Sequence, residues 1–222
     1  MEKPQYTRHV GQKFNEDGSV RAFPGNTCIS KIVPEMPIYT GLVQLQERLK
    51  ELDVDGKYGF LPPSSFHMTV IEGVCDQFRR PENWSSKLPP DMPLADVTEF
   101  VLERYKKLTP PASMRMQVAR TYFQGLLLVI LKPADTETAQ ALKSFRDQFA
   151  AETGIRFKNH DDYTFHISLA YRLIEMTPEE EQPFVDLQEE AARKLQAAYP
   201  TFELRKPSLT TFQSMFQFDD IC

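Results

Sequence analysis

The chain has 222 residues, 41% hydrophobic and 26% charged, enough apolar side chain to bury a core and too much for a disordered polymer. Its longest apolar run, Leu126 to Leu131, is strand-sized and far short of a membrane helix, and the polar start MEKPQYTRHV lacks the apolar stretch of a secretory signal, so no membrane partner and a cytoplasmic location are expected. A net charge of −5 argues against a grip on long duplex nucleic acid, and three scattered cysteines (Cys28, Cys75, Cys222) exclude a disulfide scaffold and fit a reducing compartment.

In chain order, residues 1–26 form a polar extension in which Asn15-Glu-Asp-Gly-Ser19 reads as a turn joining a small hairpin. Cys28 to Val33 is strand-like and stopped by Pro34. From Pro37 to Leu52, Leu42, Leu45, Leu49 and Leu52 recur at helical spacing. Phe66 to Ile71 reads as a strand, and Leu94, Val97, Val101 and Leu108 mark a helical stripe. Met114 to Tyr122 and Leu126 to Lys132 read as strands turning near Gln124-Gly125. Asp135 is a suitable N-cap for a helix burying Leu142, Phe145 and Phe149, with Gly154 beyond its end. Tyr163 to Tyr171 reads as a strand. Thr177-Pro-Glu-Glu180 combines N-cap, first-turn proline and capping-box glutamate, opening a helix to about residue 198, and Phe202 to Phe218 is β-rich.

The order strand, proline, helix, glycine, aromatic loop, strand with histidine occurs twice. Pro34 and Pro133 lie 99 residues apart, and so do His67 and His166. A repeated strand–helix–strand unit predicts an α+β fold of two lobes related by a pseudo-two-fold axis, each a mainly antiparallel sheet with flanking helices, about a central cleft. The expected organisation is one domain over 1–222, with lobes near 27–120 and 121–222, strand exchange between them left open, and a monomeric state.

Two of the four histidines open the same tripeptide pattern, His67-Met-Thr69 and His166-Ile-Ser168. Strand alternation sends Phe66, Met68 and Val70 to one face and His67 and Thr69 to the other. In the second copy Phe165, Ile167 and Leu169 oppose His166 and Ser168. Two imidazoles and two hydroxyls around one point suit phosphodiester chemistry: one histidine takes a proton from water, the other gives one to the leaving oxygen, and the hydroxyls hold the non-bridging oxygens. No metal or other cofactor is required.

The two H-x-[ST] motifs, with Tyr58-Gly-Phe-Leu-Pro-Pro-Ser-Ser-Phe-His-Met-Thr-Val approaching the first, resemble the 2H phosphoesterase superfamily (LigT-like), which includes cyclic phosphodiesterases and proteins named for 2′-5′ RNA ligase activity. PGNT at 24–27 and PPSSFHMTVIEGVCDQ at 62–77 resemble a functionally uncharacterised branch of it, over about residues 20–215. The resemblance implies a bilobal fold with both motifs lining the cleft, His67, Thr69, His166 and Ser168 as catalytic residues, and a hydrolase acting on a small cyclic phosphate or short RNA. It assigns His67 as acid and His166 as base, the two-fold leaving either able to do either. The alternatives are a non-catalytic nucleotide-binding or phospho-metabolite-binding module, and 2′-5′ end-joining.

The remaining candidates read as structural. His160, in Asn159-His-Asp-Asp162, is a loop histidine beside acids; sharing a metal with Asp161, Asp162 and His166 would need a helical ligand pair that is absent. His9 falls in an extension expected to be mobile. Glu72, Asp76, Gln77 and Arg79 read as a solvated loop or a cleft rim. Tyr163 and Tyr171 stand at odd spacing from His166, which predicts the core face. Tyr122 and Phe123 read as core, Lys106-Lys107 as a solvated helix end, the alternative being a local basic patch with Arg115 and Arg120, and Cys75 as inert.

Overall fold

The computed structural model describes residues 4–222. In chain order the strands are β1 (Gly25–Lys31), β2 (Tyr58–Phe60), β3 (His67–Cys75), β4 (Ser113–Tyr122), β5 (Leu126–Pro133), β6 (His166–Arg172), β7 (Phe202–Arg205), β8 (Ser208–Ser214) and β9 (Gln217–Asp220). The helices are α1 (Pro37–Leu52), α2 (Leu94–Tyr105), α3 (Thr136–Thr153) and α4 (Pro178–Ala198). Among the described residues, all the strand pairings of the sheet are antiparallel, in the order β7-β4-β5-β6-β3-β1-β8-β9, with β2 on β6.

Two four-stranded halves, β3-β1-β8-β9 and β6-β5-β4-β7, meet at one pair, Met68 opposite Ile167. The 99-residue echo is reproduced pair for pair. Lys31 faces His67 as Ile130 faces His166, Ser30 faces Met68 as Val129 faces Ile167, and Cys28 faces Ile71 as Leu127 faces Ala170. Chain connectivity crosses the halves: β4 precedes the second repeat yet pairs with β5, while β8 and β9 at the C-terminus complete the half containing β1.

Local sequence explains the helix ends. The Asp135 side chain accepts from the Thr138 N–H at 2.8 Å at the start of α3, and Gly154 closes it in the left-handed conformation at φ 72°, where a Cβ would cost energy. Thr177 and Glu180 form the reciprocal capping box of α4. Buried Leu42, Leu45 and Leu49 of α1 and Leu142, Phe145 and Phe149 of α3 join Met68, Val70, Ile167 and Leu169 in one continuous core.

Both motif strands carry a bulge at the same place. Ile29 faces Thr69 but Cys28 faces Ile71, leaving Val70 extra; Leu128 faces Ser168 but Leu127 faces Ala170, leaving Leu169 extra. A bulge frees a carbonyl that must be satisfied when buried. Buried Arg146 of α3 donates to the Val70 carbonyl at 2.6 Å, and buried Gln46 of α1 donates to the Leu169 carbonyl at 3.0 Å. Each repeat's helix therefore props the other repeat's motif strand.

Three expectations are corrected. Strand β6 begins at His166 rather than Tyr163. The helix from Leu94 ends at Tyr105, with Lys106 as its cap, before Leu108. The N-terminal extension is packed, because Phe14 is fully buried and the preceding backbone pairs with the segment just after β6: Thr7 N–H donates to the Leu173 carbonyl at 2.8 Å, and Glu175 N–H to that of Gln5 at 2.8 Å. The Asn15–Ser19 turn does close a small hairpin, with Phe14 opposite Val20 and Gly18 at φ 80°.

Candidate active site

His67, Thr69, His166 and Ser168 all line one cavity of about 320 Å³. The register explains their grouping. With Met68 opposite Ile167, antiparallel pairing sets His67 across from Ser168 and Thr69 across from His166. Directly opposed Cβ atoms lie about 5 Å apart and diagonal ones roughly 7–8 Å, so the two imidazoles stand on one diagonal of a square and the hydroxyls on the other.

Each imidazole is fixed by the segment that leads into its strand. His67 Nδ1 lies 2.7 Å from the Ser65 carbonyl and His166 Nδ1 lies 2.9 Å from the Thr164 carbonyl, again 99 residues apart. A carbonyl can only accept, so both Nδ1 atoms carry the hydrogen, and in the neutral ring Nε2 keeps a lone pair for the cavity. The His67 ring also packs on Phe218 of β9, with centroids 4.3 Å apart. Burial lowers the His67 pKa to about 4, with the charges of His166, Lys13 and Lys31 adding to the effect and the Ser65 carbonyl opposing it.

The bulges bring further side chains to the cavity. Beyond Val70 and Leu169 the alternation is reset, so Glu72 and Tyr171, equivalent under the repeat, both face the cleft. Tyr171 is therefore not a core residue as its spacing suggests. Tyr163 also lines the cavity: it precedes the strand, so parity does not govern it, and its phenol neighbours Thr69 beneath the Arg146 guanidinium, 4.3 Å from the ring centre. Burial raises the Tyr163 pKa well above the ordinary phenol value.

Sequence reasoning missed Lys13, Phe23, Phe212 and Phe218, which form much of one wall. Lys13 and Phe23 come from the extension, and Phe212 and Phe218 from the C-terminal hairpin. No local pattern marks them, because only the packing of the N-terminal extension and of the C-terminal hairpin brings them to the motif strands. His9 lies outside the cavity but packs edge-on against Tyr171 at 5.0 Å, and burial with the charges of Lys13, Arg8 and Arg172 lowers its pKa to about 4.

Other candidates stay apart from the four residues. Asp76 pairs with Arg79, and Gln77 donates to the Ala22 carbonyl at 3.0 Å. Cys75 lines the cavity, but burial raises its pKa and its thiol donates to Gln77, consistent with an inert role. Phe123 is buried, and Lys106, Lys107, Arg115, Arg120 and Tyr122 do not line the cavity.

Among the described residues one group comes close enough to chelate an ion: Asp147, His160 and Asp161, without Asp162 or His166. Its charges are already met. Arg156 donates to both Asp161 oxygens at 2.7 and 2.8 Å, Lys143 to Asp147 at 2.5 Å, and buried His160 contacts Asp147 at 2.9 Å. The Lys143 and His160 hydrogen bonds hold the Asp147 pKa at about 2. The group reads as a clamp on the loop before β6 rather than a metal centre.

Among functionally curated proteins none matches the sequence. The family model described as "2H-phosphodiest: Domain of unknown function (DUF1868)" matches residues 13–127, a little over half of the chain. Among solved structures, the conserved protein of unknown function ATU0111 from Agrobacterium tumefaciens str. C58 is 30% identical over 100% of this chain and 93% of its own, with a TM-score of 0.88. TT0787 of Thermus thermophilus is 12% identical over 83% of this chain and 86% of its own, at a TM-score of 0.48. LigT of E. coli, in apo form, is 9% identical over 90% and 95%, at 0.49. The family match begins inside the packed extension and runs through the first histidine motif, and the ATU0111 likeness carries the whole fold: the chain belongs to the DUF1868 family of the 2H phosphoesterase superfamily.

Proposed function

We propose that the protein hydrolyses a small cyclic phosphodiester, of the 2′,3′-cyclic nucleotide type, by paired-histidine acid–base catalysis. The observation that carries this reading is the square of His67, Ser168, His166 and Thr69, each imidazole pinned through Nδ1 with Nε2 left for the cavity. A cavity of about 320 Å³ takes one nucleotide-sized ligand and no duplex. The imidazoles on one diagonal flank a phosphorus at the centre, so one activates water in line with the oxygen that the other protonates. The hydroxyls on the other diagonal donate to the non-bridging oxygens, where charge grows in the transition state. In dilute water the same machinery favours hydrolysis over end-joining.

The structure favours a different division of labour from the one the resemblance assigns. Burial keeps His67 unprotonated in the free protein at neutral pH, which suits the base, and leaves the acid role to His166. The dependence of kcat/KM on pH reports the free enzyme. Its acidic limb should therefore lie near pH 4, because His67 loses its lone pair only there; a limb at 6–7 would remove His67 from the base role. Stability has the same sign. A histidine whose pKa is depressed on folding stabilises above its unfolded value near 6.5, and that contribution is lost as pH falls toward about 4.

A panel of 2′,3′-cyclic nucleotides, ADP-ribose cyclic phosphate and short 2′-5′ oligonucleotides, assayed with and without EDTA, tests the reading. Turnover of a cyclic phosphate unchanged by EDTA is the expected result. Loss in EDTA with rescue by zinc or manganese would overturn the metal-free mechanism, and binding without turnover would leave a nucleotide-binding module.

A further inference from the structure

We propose that Lys13, delivered by the N-terminal extension, binds a second anionic group of the substrate, a phosphate remote from the one that reacts. The inference rests on the phosphoesterase reading above.

The His67–Ser168–His166–Thr69 square already supplies donors for both non-bridging oxygens of one phosphate. Lys13 stands beyond it. Its Nζ donates to the Tyr171 hydroxyl at 3.2 Å and lies 4.5 Å from the Tyr171 ring centre and 5.3 Å from that of Phe23. These contacts fix the ammonium without neutralising it, and among the described residues it makes no ion pair with a carboxylate. Among the described residues it is the only lysine or arginine lining the cavity, and Glu72 is the only acid.

The two ends of the cavity differ where the repeat should make them alike. Under the 99-residue offset Glu72 corresponds to Tyr171. One end carries a carboxylate, held by Asn159 at 3.3 Å, and the other a phenol that takes a hydrogen bond from Lys13. The pseudo-two-fold square is thus set in a cavity with a cationic end and an anionic end, which orients a ligand with a phosphate at one end only. The Lys13 backbone is also preset, its N–H donating to the His9 carbonyl at 3.0 Å and its carbonyl accepting from Arg21 at 2.8 Å, so little freedom is lost on binding.

The test compares 2′,3′-cyclic nucleotides bearing a 5′-hydroxyl or a 5′-phosphate. The wild-type protein should prefer the 5′-phosphate by about tenfold or more in kcat/KM, through KM, as one charge-assisted hydrogen bond implies. Lys13→Met should collapse that ratio toward one, and Lys13→Arg should restore most of it. No wild-type preference, or a Lys13→Met loss equal for both substrates, would overturn the proposal. If no cyclic phosphate is turned over, the phosphoesterase reading fails while the site stays testable with inorganic phosphate by calorimetry. Binding that Lys13→Met abolishes and Lys13→Arg retains supports the site, and equal binding by wild type and Lys13→Met refutes it.

Discussion

His67→Ala and His166→Ala should each lower kcat/KM for the best cyclic phosphodiester by about 10²–10⁴-fold, the range expected when one proton-transfer partner is removed. Both imidazoles are partly buried in the cavity wall, and their ring hydrogen bonds are made only through Nδ1, each to a carbonyl two residues before it, so truncation deletes a function and leaves the sheet ladder intact. Circular dichroism and melting of each variant should match the wild type. Thr69→Ala and Ser168→Ala remove donors to the developing oxyanion and should cost about 10²–10³-fold, mainly in kcat. Because the four groups act on one phosphorus, the double histidine variant should be far less impaired than the product of the single losses. Near-wild-type rates in both single variants would discard the paired-histidine mechanism and leave a binding module of the same fold.

The parts of this site legible in the sequence are those set by local chemistry. Asp135, Gly154, Thr177 and Glu180 mark helix ends through hydrogen bonds made within a turn, and each does so in the structure. The His67-x-Thr69 and His166-x-Ser168 pairs follow from strand alternation, and the 99-residue echo survives because both repeats keep the same register about the Met68–Ile167 pair. Alternation fails two residues later. Nothing in Val70-Ile71-Glu72 or Leu169-Ala170-Tyr171 announces the extra residue that turns Glu72 and Tyr171 into the cleft. The bulge depends on Arg146 and Gln46, each reaching its carbonyl from a helix of the opposite repeat. Lys13 and Phe218 lie still further from local reasoning, since they reach the site only after the chain ends have packed against strands more than a hundred residues away or in the opposite half.

Phe14→Ala should be the most destabilising single change in the extension, costing about 3–5 kcal/mol, as large-to-small substitutions of buried phenylalanine do. The ring is wholly inaccessible and packs against Tyr171 and Phe216, with centroids 5.6 and 6.1 Å away. It also lies over Gly59, where a Cβ would come within 2.9 Å of the ring, so strand β2 is already as near as backbone allows. Those walls belong to the sheet and its terminal hairpin, and they cannot move in to fill the void. At roughly 2–4 °C per kcal/mol for a domain of this size, the melting temperature should fall by about 6–20 °C. The loss should also reach the site, because Phe14 anchors the turn that holds Lys13 against Tyr171. Well below the new melting point, amide exchange at Arg21, whose N–H donates to the Lys13 carbonyl, should accelerate, and KM for a substrate with a remote phosphate should rise more than kcat falls. Phe14→Leu, which keeps most of the volume, should recover the larger part of both effects. A Phe14→Ala protein that melts within a degree of wild type and exchanges Arg21 no faster would show that the extension merely lies on the sheet.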